Sequence, residues 1–168
     1  VSTLQLLGME DVQFEVNITP TEQFTLSGTD SVAFMFSANK TTKPGAVERI
    51  ASGGEMSRIM LVIKAILTEK RMLPTVIFDE IDTGVSGRIA DAMGDIIANL
   101  SHSMQIIDIT HLPQVAAKRG AHFVVYKSEG RSNIRRLTQT ERIDEIATMI
   151  SGSTITEAAR KQAKILLA

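Results

Sequence analysis

The chain reads as an α/β protein, with a mostly parallel central sheet flanked by helices and an N-terminal portion built of β-strands. Three observations carry that reading. Residues 75–78 (TVIF) and 104–109 (MQIIDI) are short, largely apolar runs. Between them Ile89, Ala92, Met93, Ile96, Ile97 and Leu100 recur at the spacing of one helix face. Strand, helix and strand at that separation form a βαβ unit, which makes the two strands parallel and the crossover right-handed. Upstream, Val12, Phe14, Val16 and Ile18 alternate with Gln13, Glu15 and Asn17, the period of a strand with one buried face.

In chain order, residues 1–7 read as the end of a helix cut from a longer chain, with Gly8 as its stop. The strand at 12–18 is followed by a polar, turn-like stretch at 20–30 and a second strand at 31–37. Residues 39–45 are a loop rich in Lys and Thr. Ser52 then opens a helix whose apolar face is Ile59, Val62, Ile63, Ile66 and Leu67. Pro74 ends the next turn. The strand at 75–78 is almost wholly apolar, which predicts burial on both faces. Beyond 109 come a short helix over 112–118 and a hairpin of 123–127 with 131–137 around Glu129-Gly130. Two helices, 140–150 and 154–167, close the chain, separated by Ser151-Gly152-Ser153.

Composition narrows the functional classes. With 43% hydrophobic residues, a chain of 168 residues can bury a core of its own; aromatics are scarce at 4%, and eight methionines take part of their place. A net charge of −1 gives no global signal for nucleic acid, so any DNA contact must be local or lie outside this sequence. No cysteine is present, which excludes disulfides and thiolate metal sites. The longest apolar run, 59–67, is broken by Lys64 and is too short to cross a bilayer, and the first eight residues lack the basic start of a signal peptide.

Two stretches carry the chemistry. Ser52-Gly53-Gly54-Glu55 has the form of a capping box, Ser52 as N-cap with Glu55 reaching back to its amide. That leaves two first-turn glycines unexplained, each costing up to about 1 kcal/mol of helix stability relative to Ala. Glycines there let a ligand approach the backbone, and free amides at a positive helix end suit phosphate. The second stretch is Asp79-Glu80, at the carboxyl end of a parallel strand, where α/β sheets place ligands. Asp79 suits a Mg²⁺ ion held mostly through water, and Glu80 suits the orientation or deprotonation of an attacking water. His111 stands at the same end of the neighbouring strand, within reach of the same ligand. His102 and His122 have no such placement and read as structural or surface residues. Asp82, Thr83, Gly84 and Ser86 form a glycine-rich turn into the next helix with Ser86 as N-cap, or a loop that crosses a dimer interface. Arg131, Asn133 and Arg135 alternate beside Arg136, with Lys118-Arg119 nearby in sequence. A solvated face is the preferred account of these residues, and DNA contact the lesser one. No G-x-x-x-x-G-K-[ST] phosphate loop occurs anywhere in the chain.

Taken in order, these pieces resemble the C-terminal half of an ABC-type ATPase head. Residues 51–58 (ASGGEMSR) look like the signature motif and 76–80 (VIFDE) like Walker B with its catalytic Glu. Residues 83–86 stand at the D-loop position and His111 at that of the switch histidine. The wording of 50–60 (IASGGEMSRIM), 78–87 (FDEIDTGVSG) and 110–117 (THLPQVAA) is similar to the RecN family of bacterial SMC-like DNA repair proteins, over essentially the whole chain. Ala51 stands where many ABC proteins carry Leu, and Ser86 where transporters carry the D-loop Asp, which argues against a transporter subunit.

The resemblance implies two domains' worth of context: residues 1–8 as the end of a coiled-coil helix, and 9–168 as the half-head that lacks Walker A. It implies ATP and Mg²⁺ as ligands. Ser52, Gly53, Gly54 and Glu55 would meet the γ-phosphate in trans, Asp82, Thr83, Gly84 and Ser86 would be the D-loop, and Asp79, Glu80 and His111 would act in cis. The implied partners are the protein's own N-terminal Walker A lobe, a second head and DNA ends or single strands, with no membrane. The implied setting is cytoplasmic and nucleoid-associated, in double-strand break repair by recombination. A clamp in which ATP only locks two heads together, with incidental hydrolysis, is the alternative, and Glu80 speaks against it. This chain alone is expected to be inactive.

Overall fold

The structure, a computed structural model, describes every residue except Ser27, Met72, Arg119 and Ser153. It divides into two compact units, Val1–Arg71 with Ile81–Val85, and Met72–Glu80 with Ser86–Ala168.

The first unit opens with α1 (Ser2–Leu6). Gly8 takes φ +79 just after it. The Met9 amide returns to the Leu4 carbonyl (3.2 Å) and the Gly8 amide to that of Gln5 (3.0 Å), a Schellman stop. Strands β1 (Gln13–Thr25) and β2 (Gly28–Ser37) pair antiparallel, with β3 (Gly45–Ala46) on the free edge of β2. The polar stretch expected to turn at 20–30 instead continues both strands as far as Thr25 and Gly28, with a register irregularity between Pro20 and Thr25. Threonines explain this: Thr19, Thr21 and Thr25 are β-formers despite their polarity, and the Thr21 hydroxyl donates to the carbonyls of Gln23 and Thr29 (3.0 Å each). Ser27 of that stretch lies outside the described residues. The expected buried face holds only at the base of the hairpin. Val12 and Phe36 are buried, whereas Val16, Ile18, Val32 and Phe34, which pair across the strands on one face, are exposed.

Helices α2 (Val47–Ile50) and α3 (Gly53–Arg71) complete this unit. The buried positions of α3 are Ile59, Leu61, Val62 and Thr68; Ile66 and Leu67, assigned to the buried face by periodicity, are exposed. The helix is apolar on more than one side, so spacing alone does not select which side is covered.

In the second unit β4 (Thr75–Asp79) and β5 (Gln105–Ile109) pair parallel, Ile77 opposite Ile107 and Asp79 opposite Ile109. Helix α4 (Gly87–Leu100) connects them and buries Ala90, Met93, Gly94, Ile97 and Leu100. Burial of 75–78 on both faces does not hold. Phe78 is fully buried, but Ile77, Ile107 and Ile109 on the opposite face are 57%, 44% and 50% exposed, because no layer of the described residues covers that side.

Next come α5 (Pro113–Ala116), β6 (Phe123–Ser128) and β7 (Arg131–Arg136). Glu129 and Gly130 both take positive φ (52° and 74°), as a two-residue hairpin turn requires. Helices α6 (Gln139–Ser151) and α7 (Glu157–Leu166) pack through the small side chains of Ala147, Ala159 and Ala163 around Ile146. Both helices start at threonine N-caps, Thr138 and Thr156, rather than at the predicted boundaries. Ser153 and Arg119, which the sequence reading placed in a separator and a basic pair, lie outside the described residues.

Candidate functional site

In the first unit the start of α3 closes as its sequence demands. The Ser52 amide donates to Glu55 Oε2 (2.8 Å) and the Glu55 amide to Ser52 Oγ (3.4 Å), a reciprocal capping box. The two glycines then differ. A Cβ on Gly53 would meet nothing within 4 Å, whereas one on Gly54 would come within 2.9 Å of the Gly84 carbonyl oxygen. Gly84 in turn has φ +78, and a Cβ there would lie 3.3 Å from Gly54 Cα. The first turn of α3 and the loop 81–85 therefore touch backbone to backbone. In that loop Asp82 is buried, its carbonyl accepting from the Val85 amide (3.3 Å), and Thr83 is exposed.

The second unit gathers the carboxylates and the histidine. Asp79 is the last residue of β4, and Glu80 follows in a left-handed conformation (φ +47), rare for a side chain of this type. Its amide donates to the Ile109 carbonyl (3.0 Å), which brings Asp79, Glu80, Thr110 and His111 to one edge of the parallel pair. Asp79, Glu80 and His111 are all exposed there. The Leu112 amide donates to Thr110 Oγ1 (2.9 Å), turning the chain just past His111. Ser86 stands at the N-cap of α4 as expected, but its side chain makes no capping bond. The candidate residues thus form two groups: Ser52, Gly53, Gly54 and Glu55 with Asp82, Thr83 and Gly84 in one unit, and Asp79, Glu80, Ser86 and His111 in the other. Among the described residues no three acidic or histidine side chains converge as a self-sufficient metal cage. A lone hard carboxylate such as Asp79 fits Mg²⁺, which keeps most of its water.

A charged cluster that the motifs do not include lies on α4. Lys118 Nζ donates to Asp91 Oδ1 (2.7 Å) and Asp95 Oδ1 (2.6 Å), both on α4. Its stem crosses Gly94, where a Cβ would lie 2.8 Å from Lys118 Cε. Partial burial works to lower the Lys118 pKa, but the two carboxylates outweigh it and the ammonium is held above its ordinary 10.5. Arg142 Nη2 donates to the carbonyls of Ala117 (3.4 Å) and Lys118 (3.1 Å). Burial, then the charge of Arg142, lowers the pKa of half-buried His122 below 6.5. Two aspartates one helical turn apart repel each other and call for a counter-charge; that was the available signal.

No family model matches the chain. Curated relatives named DNA repair protein RecN align with nearly all of it. The protein of Rickettsia bellii is 44% identical over 168 residues and that of Halalkalibacterium halodurans 42% identical over 172, each alignment covering 98% of this chain. The chain belongs to the RecN family. It spans 30% of the length of these two relatives. In fold this RecN-family chain matches SMC ATPase heads. One, from a structure concerned with ATP-driven dimerization and DNA-stimulated activation of SMC ATPases, superposes with a TM-score of 0.63 at 17% identity, covering 91% of this chain and 89% of the other. The Smc head with a coiled coil and joint from Pyrococcus yayanosii gives 0.67 at 17% identity, over 86% of this chain and 27% of that one. The α/β head-lobe fold and the RecN resemblance expected from the motifs both hold. Among the described residues no helix is long and apolar enough to cross a membrane.

Proposed function

We propose that the chain is the C-terminal half of a RecN-family ATPase head, acting in DNA double-strand break repair by recombination. Residues 1–8 end a coiled-coil helix, and 9–168 carry the signature, Walker B, D-loop and switch histidine. The observation that carries this reading is the edge where the Glu80 amide meets the Ile109 carbonyl, because it puts the Asp79-Glu80 and Thr110-His111 backbone at the same end of the parallel pair, which supports a shared hydrolytic site. The left-handed Glu80 supports it, since backbone strain of this kind gathers at functional sites.

In this reading Glu80 takes a proton from the water that attacks the γ-phosphate, and His111 hydrogen-bonds the phosphate being released. Asp79 would hold Mg²⁺, and the bound ion would supply charge neutralisation on the phosphates. Ser52, Gly53, Gly54 and Glu55 face the γ-phosphate of a partner head, and Asp82, Thr83, Gly84 and Ser86 form the D-loop. The open space over Gly53 supports close approach of an anion. The protein's own N-terminal Walker A lobe is the first partner, since a two-stranded parallel sheet with an uncovered apolar face is not self-sufficient. A second head is the next partner, as in the SMC relative whose structure concerns ATP-driven dimerization. DNA ends or single strands engage mainly the rest of the protein. Of the basic strand face, Arg135 is already bound to Glu141 at 2.7 Å. The setting is cytoplasmic and nucleoid-associated, and this chain by itself turns over no ATP for want of a phosphate loop.

The test is steady-state ATP turnover of the full-length protein, unmodified and as Glu80→Gln, with and without linear DNA. Loss of a general base predicts a fall on the order of 10²-fold or more, together with stimulation of the unmodified protein by DNA. Unchanged turnover in Glu80→Gln would overturn the catalytic assignment in favour of the ATP-gated clamp.

A further inference from the structure

Resting on the role proposed for His111, we infer that Lys118 is its positioning residue, fixing the segment 110–118 against α4 by bridging Asp91 and Asp95 across Gly94. The segment leaves β5 with Thr110 and His111, turns at Leu112, forms the four-residue helix α5 and ends at Lys118. So short a helix has no stability of its own, and its placement comes from what anchors it. Val115 is buried. At the far end the ammonium of Lys118 lies 2.7 and 2.6 Å from two carboxylates of α4. The close approach is built into the helix. A Cβ at position 94 would sit 2.8 Å from Lys118 Cε and 2.9 Å from its Cγ, so the lysine stem would have to shift off α4 to admit one, while the Gln114 carbonyl of α5 at 3.4 Å is in ordinary contact range.

Helix α4 follows the loop after Glu80, and α5 follows His111. At the front of this arrangement the Glu80 amide binds the Ile109 carbonyl; at the back Lys118 binds α4. The two limbs that leave the candidate edge are thus joined at both ends. Loss of the Lys118 bridge leaves the rear of the segment held by Arg142 through the carbonyls of Ala117 and Lys118 and lets its contact with α4, and with it His111, shift while Glu80 and Asp79 keep their strand.

The experiment compares steady-state ATP kinetics of full-length Lys118→Met, Lys118→Arg, His111→Ala and the Lys118→Met/His111→Ala double variant. Methionine keeps the apolar stem and removes the charge. A shift of about 1 Å at a reacting group costs up to roughly 10²-fold, so Lys118→Met should lower kcat tenfold or more with the KM for ATP within about twofold. Lys118→Arg should recover part of kcat, and the double variant should fall little below His111→Ala, because both changes remove one function. If His111→Ala lowers kcat and Lys118→Met does not, the positioning role is wrong while the reading of the site stands. Multiplicative losses in the double variant would likewise overturn it. An unaffected His111→Ala would sink the reading of the site itself, and this inference with it. Should Lys118→Met fail to fold, judged by circular dichroism, Asp95→Asn weakens the same bridge, and the same kcat-against-KM split and dependence on His111 decide.

Discussion

Gly53 and Gly54 stand side by side in the first turn of α3 and answer to different constraints. Gly54 is required by contact, since any side chain would press on the Gly84 carbonyl. Gly53 has open space where a Cβ would be, so packing does not demand it, and in a helix it costs up to about 1 kcal/mol relative to Ala. The proposed approach of a phosphate to this backbone would account for it. We expect Gly53→Ala in the full-length protein to leave thermal stability equal or slightly raised while ATP-dependent head pairing, followed by light scattering, declines. Gly84→Ala should instead destabilise by about 1 kcal/mol or more, because a side chain at φ +78 is strained and Gly54 must also move. Equal pairing in Gly53→Ala and the unmodified protein would remove the phosphate argument at this position. The capping box of Ser52 and Glu55 was legible in the sequence because it spans only four consecutive residues. The contact of Gly54 with Gly84, or of Gly94 with Lys118, joins distant positions, and no local pattern encodes it.

Elements announce themselves when their signals are local, and α6 is a case where the signal was present and overlooked. Thr138-Gln139-Thr140-Glu141 is a capping box, Thr138 Oγ1 accepting from the Glu141 amide (3.3 Å) while the Thr138 amide donates to Glu141 Oε2 (2.8 Å). The Thr138 amide, then its hydroxyl, then Arg135, holds the Glu141 carboxyl below its ordinary 4.5. A depressed carboxylate stabilises the fold above its unfolded pKa and loses that contribution as pH falls through the folded value. Thr138→Ala should therefore reduce hydrogen-exchange protection in the first turn of α6 several-fold at neutral pH, the equivalent of about 1 kcal/mol. The difference from the unmodified protein should shrink below pH 4.5, as Glu141 protonates. A difference that persists unchanged at low pH would mean that Glu141 is not part of the cap. The β1–β2 hairpin was misjudged for the opposite reason: its outer half is polar, and threonine-rich strands look like turns when polarity is the only guide.

At the scale of the whole molecule, alternation in a strand tells which residues share a face but not whether the layer that covers the face belongs to the same segment. The pattern of 12–18 and 75–78 correctly marked apolar faces, and the expectation that they are buried failed for one physical reason: no layer of the described residues covers them. Ile77, Ile107 and Ile109 on the parallel pair, and Val16, Ile18, Val32 and Phe34 on the long hairpin, remain in contact with water. Contiguous apolar faces of this kind are interaction surfaces, and an unprotected sheet edge templates pairing with another chain. The 168-residue chain on its own should therefore self-associate, its apparent mass by multi-angle light scattering rising with concentration. Ile18→Thr with Val32→Thr keeps β-propensity while making a directly opposed cross-strand pair polar, and should move the association to higher concentration without loss of strand signal in circular dichroism. Addition of the separately produced N-terminal lobe should suppress self-association by occupying the same surfaces. A chain that stays strictly monomeric at high concentration would show that these faces are tolerated in water, and the argument that they await the Walker A lobe would lose its physical basis.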